Sequence, residues 1–67
     1  MPKLPRLTAR EAERLLLDAD FRLIRSKGSH RIYRKGDTRI IVPFHSNKIL
    51  HPKIVKQLFK AIEKAQK

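Results

Sequence analysis

The spacing of hydrophobic residues predicts one amphipathic helix near each end of the chain. Thr8 followed three residues later by Glu11 forms a capping box, which predicts a first helix from about Ala9 to Asp18. Pro52 predicts the start of a second helix, because proline is favoured at the first helical position. The apolar residues of this second helix recur every three or four positions, at Ile54, Val55, Leu58, Phe59 and Ile62. Each helix therefore has one face that must be buried.

Between the two helices the hydrophobic period changes to two, which predicts three short strands. The first strand begins at Phe21, with Phe21 and Leu23 on one side and Arg22 and Ile24 on the other, and a turn is expected over 26–29. The second and third strands are predicted at His30 to Arg34 and Arg39 to Pro43, joined by a turn over 35–37. Short strands joined by tight turns pair antiparallel. The stretch 44–50 reads as a polar loop.

The predicted order α-β-β-β-α indicates an α+β fold in which both helices pack on one face of a three-stranded antiparallel sheet. We expect a single domain over residues 1–67. Apolar residues occur on both faces of the first and third strands, so the helix-free face is expected to carry isoleucines and to suit a binding partner.

The charge balance indicates a polyanionic partner. Seventeen lysines and arginines against six acidic residues give a net charge of +11, far more than solubility requires, and nucleic acid is the default interpretation. The absence of cysteine excludes disulfides and thiolate metal sites. No apolar stretch reaches the length of a membrane span, and the N-terminus lacks the apolar core of a signal peptide. We therefore expect a cytoplasmic protein without membrane contact or cofactor.

The histidines are the first candidates for acid-base chemistry, because only their side chains have an unperturbed pKa near neutrality. The scattered acidic residues do not suggest a two-metal nuclease site, and the histidine spacing matches no zinc pattern, so metal-free phosphodiester chemistry is the main enzymatic option. His30 directly follows Gly28 and Ser29, which predicts an exposed position where a turn enters a strand. The alternative is that His30 merely begins an exposed strand.

Several neighbours of His30 are candidate RNA contacts. The cations that could grip a phosphate are Lys27, Arg31 and Arg34, and Ser29 is a possible hydrogen-bond donor. His45, after the third strand, is a weaker candidate, and His51 is expected to cap the second helix. Tyr33 and Phe44 could stack on unpaired RNA bases, and the alternative is that both pack in the hydrophobic core.

Three elements of the sequence resemble the HicA family of toxins, also called the YcfA-like family. They are Gly28-Ser29-His30 followed by Ile32-Tyr33, then Val42-Pro43-Phe44-His45, and Leu50-His51-Pro52. The likeness covers nearly the whole chain, from Leu7 to Ala65. Family members commonly have glycine after helix one, where this chain has Asp20, and Gly-Thr-Leu where it has Lys53-Ile54-Val55.

The resemblance implies a double-stranded-RNA-binding-domain-like fold, an mRNA interferase that cleaves RNA without the ribosome, and a catalytic histidine at the position of His30. It also implies a HicB antitoxin that occludes this histidine. Together with the charge, it predicts a metal-independent endoribonuclease of a type II toxin-antitoxin pair. The alternative is a non-catalytic RNA-binding module of the same fold, and a DNA-binding protein ranks below both because no helix-turn-helix pattern is present.

Overall fold

The structure is a computed structural model and describes residues 5–44 and 49–66. The elements, in chain order, are α1 (Ala9–Asp18), β1 (Arg22–Lys27), β2 (His30–Lys35), β3 (Thr38–Pro43) and α2 (Pro52–Ala65). The strands form one antiparallel sheet in the order β1-β2-β3, and the helices share one core with it. The predicted α+β fold and the predicted starts of both helices are confirmed.

Local signals at both ends of α1 explain its boundaries. The Thr8 side chain accepts a hydrogen bond from the Glu11 backbone N–H at 3.2 Å, and the Glu11 carboxylate accepts one from the Thr8 N–H at 3.0 Å, so the capping box is confirmed. At the other end Asp20 has a φ of +72°. The Phe21 N–H donates to the Leu16 carbonyl at 2.9 Å, which completes a Schellman motif and turns the chain into β1.

Both hairpins are tighter than the sequence predicts. Gly28 and Gly36 each have a φ of +57°, and two-residue turns at Gly28-Ser29 and Gly36-Asp37 join the strands. Glycine at the first central position is the pattern of a type II′ turn, which matches the twist of the flanking strands. The predicted turn over 26–29 is therefore wrong at its first half, because β1 continues through Lys27.

The core lies between the helices and the β2-β3 half of the sheet. Tyr33, Ile40 and Val42 are buried on the helix-facing side, against residues such as Leu16 and Leu58. All six residues of β1 are exposed, whereas Phe21, which directly precedes this strand, is buried in the core. The helices pack against β3, and β1 extends beyond the surface they cover.

The segment before α1 is joined to the segment before α2. Thr8 and Ile49 form an antiparallel bridge, and the Leu50 N–H donates to the Leu7 carbonyl at 2.7 Å. Among the described residues, neither helix is both long and apolar enough to cross a bilayer.

Candidate functional site

His30 lies on the helix-free face of the sheet, which we call the outer face. Side chains alternate between the two faces along a strand. Tyr33 of β2 and Ile40 and Val42 of β3 face the helices, so the pairs Ile32↔Ile41 and His30↔Pro43 face outward. His30 is exposed at the first position of β2, as predicted. An imidazole at this place is open to a large ligand.

The register arranges the outer face in three rows that cross all three strands. The first row holds Lys27, His30 and Pro43; the middle row holds Arg25, Ile32 and Ile41; the third row, which we call the arginine row, holds Arg22, Arg34 and Arg39. Successive rows are two residues apart along β2, or about 7 Å. The rows contain five cations and His30, and no acidic residue.

A bulge in β1 brings its cations onto this face. In a regular strand Leu23 and Arg25 would share one side. The register shifts between Leu23 and Arg25, so Leu23 pairs with Tyr33 of the helix-facing side while Arg25 pairs with Ile32 of the outer face. The bulge therefore places Arg22, Arg25 and Lys27 together, as bulges commonly re-aim side chains.

Backbone contacts hold the start of β2. Ser29 accepts a hydrogen bond at its carbonyl from the Phe44 N–H, which ties the turn before His30 to the end of β3. Ser29 is half-buried and Lys27 is exposed. Of the sequence-predicted RNA contacts, Lys27 and Ser29 therefore lie beside His30.

Arg31 lies on the opposite side of the sheet from His30. Its Nη1 donates to Oε2 of Glu13 in α1 at 3.0 Å, and its guanidinium carbon is 4.1 Å from the centroid of the Phe44 ring. The hydrogen bond to Glu13 raises the pKa of Arg31. This side chain links α1, β2 and the segment after β3. The sequence analysis grouped Arg31 with Lys27 and Arg34 as phosphate contacts, whereas the structure places Arg31 on the other side of the sheet.

Tyr33 completes the same network. Its side chain is fully buried, and its hydroxyl donates a short hydrogen bond to Oε2 of Glu13. Burial, followed by the bond to Glu13, raises the pKa of Tyr33 well above its usual range. The core interpretation of Tyr33 is confirmed, and a role in stacking on RNA bases is excluded. Phe44 is half-buried beneath Arg31.

The remaining predicted residues fall at separate places. Arg34 lies on the outer face in the arginine row, and its Nε donates to the Gly36 carbonyl at 2.7 Å. His45 lies outside the described residues. The Nδ1 atom of His51 accepts a hydrogen bond from the Lys53 N–H at 3.1 Å, so the predicted helix-capping role of His51 is confirmed.

Three cations of the outer face were missed by the sequence reasoning: Arg22, Arg25 and Arg39. Arg22 and Arg25 lie on β1 and Arg39 lies on β3, whereas His30 lies on β2. Only the pairing of these strands brings the three arginines to the same face of the sheet as His30. The signal that could have found Arg39 is its place in the hairpin directly opposite Arg34.

Two cavities among the described residues lie away from His30, and one of them, of about 330 Å³ beside β3, is lined by Arg39, Ile40, Ile41, Gln57 and Ala61. The other, of about 390 Å³, lies at the start of α2 and is lined by Pro5, Arg6, Ile49, Leu50, His51, Pro52 and Val55. His30 is in neither lining and stands on an open face, which suits a long polymer better than an enclosed small molecule. In 5–44 and 49–66, no three His, Asp or Glu side chains are grouped closely enough to hold a metal ion.

A comparison with known protein families found a match over most of the chain. The family model described as the HicA toxin of bacterial toxin-antitoxin systems matches residues 9–64, which include every element of the fold except the last residue of α2. No curated protein and no solved structure matches the chain.

Proposed function

The chain belongs to the HicA toxin family of bacterial toxin-antitoxin systems, and from this premise we propose that it is a metal-independent endoribonuclease that cleaves mRNA with His30 as its catalytic group. The observation that carries the proposal is the exposed imidazole in a row with Lys27, on a sheet face that carries further cations and no carboxylate. An mRNA substrate implies that the toxin acts in the cytoplasm.

The proposed reaction uses the nucleophile that RNA itself supplies. The imidazole of His30 takes the proton of a ribose 2′-hydroxyl, whose oxygen forms a bond to the adjacent phosphorus. The bond from phosphorus to the 5′-oxygen breaks, and that oxygen receives a proton from solvent or from the imidazolium. The products are a 2′,3′-cyclic phosphate and a 5′-hydroxyl end, and no oxidant or cofactor is consumed.

Lys27 supplies positive charge for the phosphorane oxygens in this proposal. It pairs directly with His30 across the first hairpin, and a fixed cation beside developing negative charge is usually a large part of catalysis. Ser29, the residue directly before His30, supplies a further hydroxyl donor in this proposal. His45 remains a proposed RNA contact on sequence grounds alone.

Arg31 has a positioning role in this proposal. Its contacts with Glu13 and Phe44 are on the helix-facing side, and the Phe44 backbone holds Ser29. We therefore expect Arg31 to act on the reaction through the position of the turn before His30.

The test compares His30→Ala with His51→Asn, a control that removes a histidine far from the outer face and leaves a residue suited to helix capping. We expect His30→Ala to lose about 10²- to 10⁴-fold in cleavage rate, because that is the usual contribution of a general acid or base. RNA affinity and thermal stability should stay near wild type, since His30 is exposed. The control should cleave normally.

Full cleavage by His30→Ala would refute the catalytic assignment. An unmodified chain that binds RNA and cuts none of it would favour the alternative, a non-catalytic RNA-binding module. Cleavage should also survive EDTA, because no carboxylate occupies the three rows of the outer face. Activity that is lost with EDTA and restored by magnesium would contradict metal independence.

The family also implies an antitoxin partner. We propose that this partner is an acidic HicB-like protein that covers His30. The cations that attract phosphate would steer an acidic surface to the same face.

A further inference from the structure

We propose that Arg22, Arg34 and Arg39 form a phosphate-binding subsite for single-stranded RNA, separate from the reacting group and about 14 Å from His30. The inference rests on the proposed function, because it assumes that the scissile phosphate lies at His30. It adds a second contact that positions the substrate along β2.

Like charges lie directly opposite each other in the arginine row. Arg22 pairs with Arg34, and Arg34 pairs with Arg39, and such cross-strand pairs are destabilising. Within the described ranges the only ion pair is that of Glu13 and Arg31, on the other side of the sheet. The row is therefore repulsive in the free protein, and an anion bound across it would relieve the repulsion.

The chemistry of the row favours phosphate. All three residues are arginines, whose planar guanidinium can donate two parallel hydrogen bonds to one phosphate. The bond from Arg34 Nε to the Gly36 carbonyl, at 2.7 Å, fixes that guanidinium against the β2-β3 turn. Both terminal nitrogens of Arg34 remain for a ligand, because arginine has five N–H donors and this bond uses one.

The middle row suits a segment of single-stranded RNA that runs from His30 to the arginine row. Ile32 and Ile41 lie between His30 and the arginine row, and Ile41 is 49% exposed. Unpaired bases and riboses can cover apolar side chains while the phosphates reach the flanking cations, as in other single-strand binding surfaces. Isoleucine makes no hydrogen bond to a base edge, so this contact should be tolerant of sequence.

The spacing determines the length of RNA that reaches both sites. His30 and Arg34 are four residues apart on β2, or about 14 Å. A stacked strand covers that distance in about four nucleotides at about 3.4 Å each, and an extended strand needs fewer. A dinucleotide held at His30 therefore cannot reach the arginine row, whereas an RNA of about ten nucleotides can.

The first test measures binding without cleavage, in the His30→Ala background. The triple variant Arg22→Gln/Arg34→Gln/Arg39→Gln is compared with Lys56→Gln/Lys60→Gln/Lys64→Gln, which removes the same charge from exposed positions of α2. The probe is a labelled single-stranded RNA of about ten nucleotides. Loss of this one phosphate contact should lower the slope of log affinity against log salt by about 0.7 and weaken binding about fivefold at 0.1 M salt.

The control should keep the salt slope of the parent, because it leaves the arginine row intact. Thermal unfolding of the arginine triple variant should occur at or above the parent temperature, because like-charge repulsion is removed. A weaker binder that is at least as stable supports the subsite. Equal slopes for the two triple variants would overturn it, and the row would then belong to another ligand, such as an acidic protein surface.

The second test uses the active protein and substrates of two lengths. The arginine triple variant should raise KM for the ten-nucleotide RNA by the factor measured in binding, with little change in kcat, and should cleave a dinucleotide as the unmodified chain does. An equal loss on both substrates would overturn the subsite. Cleavage that survives His30→Ala would instead refute the proposed function, while the binding comparison would still decide the role of the arginine row.

Discussion

A double-mutant cycle on Glu13 and Tyr33 tests whether the buried hydroxyl of Tyr33 depends on a single partner. Glu13 Oε2 accepts from both the Tyr33 hydroxyl and Arg31 Nη1, so the carboxylate joins α1 to β2. The changes are Glu13→Ala, Tyr33→Phe and the two combined. Glu63→Ala removes an exposed glutamate from α2 as the matched control.

The magnitudes follow from burial. Glu13→Ala leaves the hydroxyl of Tyr33 without a hydrogen-bond partner, on a side chain that is 0% exposed. Such a loss costs about 1–3 kcal/mol of unfolding free energy. The ion pair with Arg31 adds little to this loss, because its side chains are 38% and 24% exposed and the pair is screened by solvent. Tyr33→Phe should lower the unfolding free energy by about 1 kcal/mol, since the Glu13 carboxylate still has Arg31 and solvent as hydrogen-bond partners. The double variant has no hydroxyl left to satisfy. Its loss of unfolding free energy should therefore be at least about 1 kcal/mol smaller than the sum of the two single losses.

The assay is urea unfolding followed by far-UV circular dichroism, supported by thermal melts. A loss of about 2 kcal/mol should lower Tm by roughly 10 °C in a domain of this size. Glu63→Ala should stay within about 0.5 kcal/mol of the unmodified chain. A Glu13→Ala variant as stable as the Glu63→Ala control, or strictly additive single losses, would refute the reasoning.

Three further predictions concern the helix end, alkaline pH and the partner. Asp20→Gly should raise the free energy of unfolding by about 0.5–1 kcal/mol, because glycine adopts the observed φ of +72° freely; Asp18→Gly, inside α1, should lower it in the same urea assay. The free energy of unfolding should decrease as pH rises above about 10, because tyrosine ionises there in the unfolded chain while its raised pKa keeps Tyr33 protonated in the folded one. In denaturant unfolding between pH 8 and 11, this decrease should be absent from Tyr33→Phe. The same pH dependence of the midpoint in the variant and in the unmodified chain would contradict the prediction. The antitoxin should displace RNA from His30→Ala protein in a competition titration and contact Lys27 and Arg34, which lie on the outer face with His30; simultaneous binding with unchanged affinities would exclude occlusion of the outer face.

Much of the fold is determined by short-range signals in the sequence. The capping box at Thr8 and Glu11, the proline at position 52 and the apolar stripe of α2 locate both helices, because caps and periodicity act within a few residues. Gly28 likewise marks the turn that places His30 at the start of β2. The element order and the exposed position of the candidate catalytic histidine therefore follow from local sequence.

The face on which each side chain lies was decided only by tertiary structure. A period of two separates odd from even positions along a strand, but it does not reveal which set faces the helices or where a bulge reverses the alternation. Arg31 is one residue from His30 and yet lies on the helix-facing side with Glu13. Arg22 lies on β1, before the first turn, and yet joins Arg34 and Arg39 of the second hairpin in one row. Strand register is a property of pairs of segments, so the composition of the candidate site emerged only when the sheet was assembled.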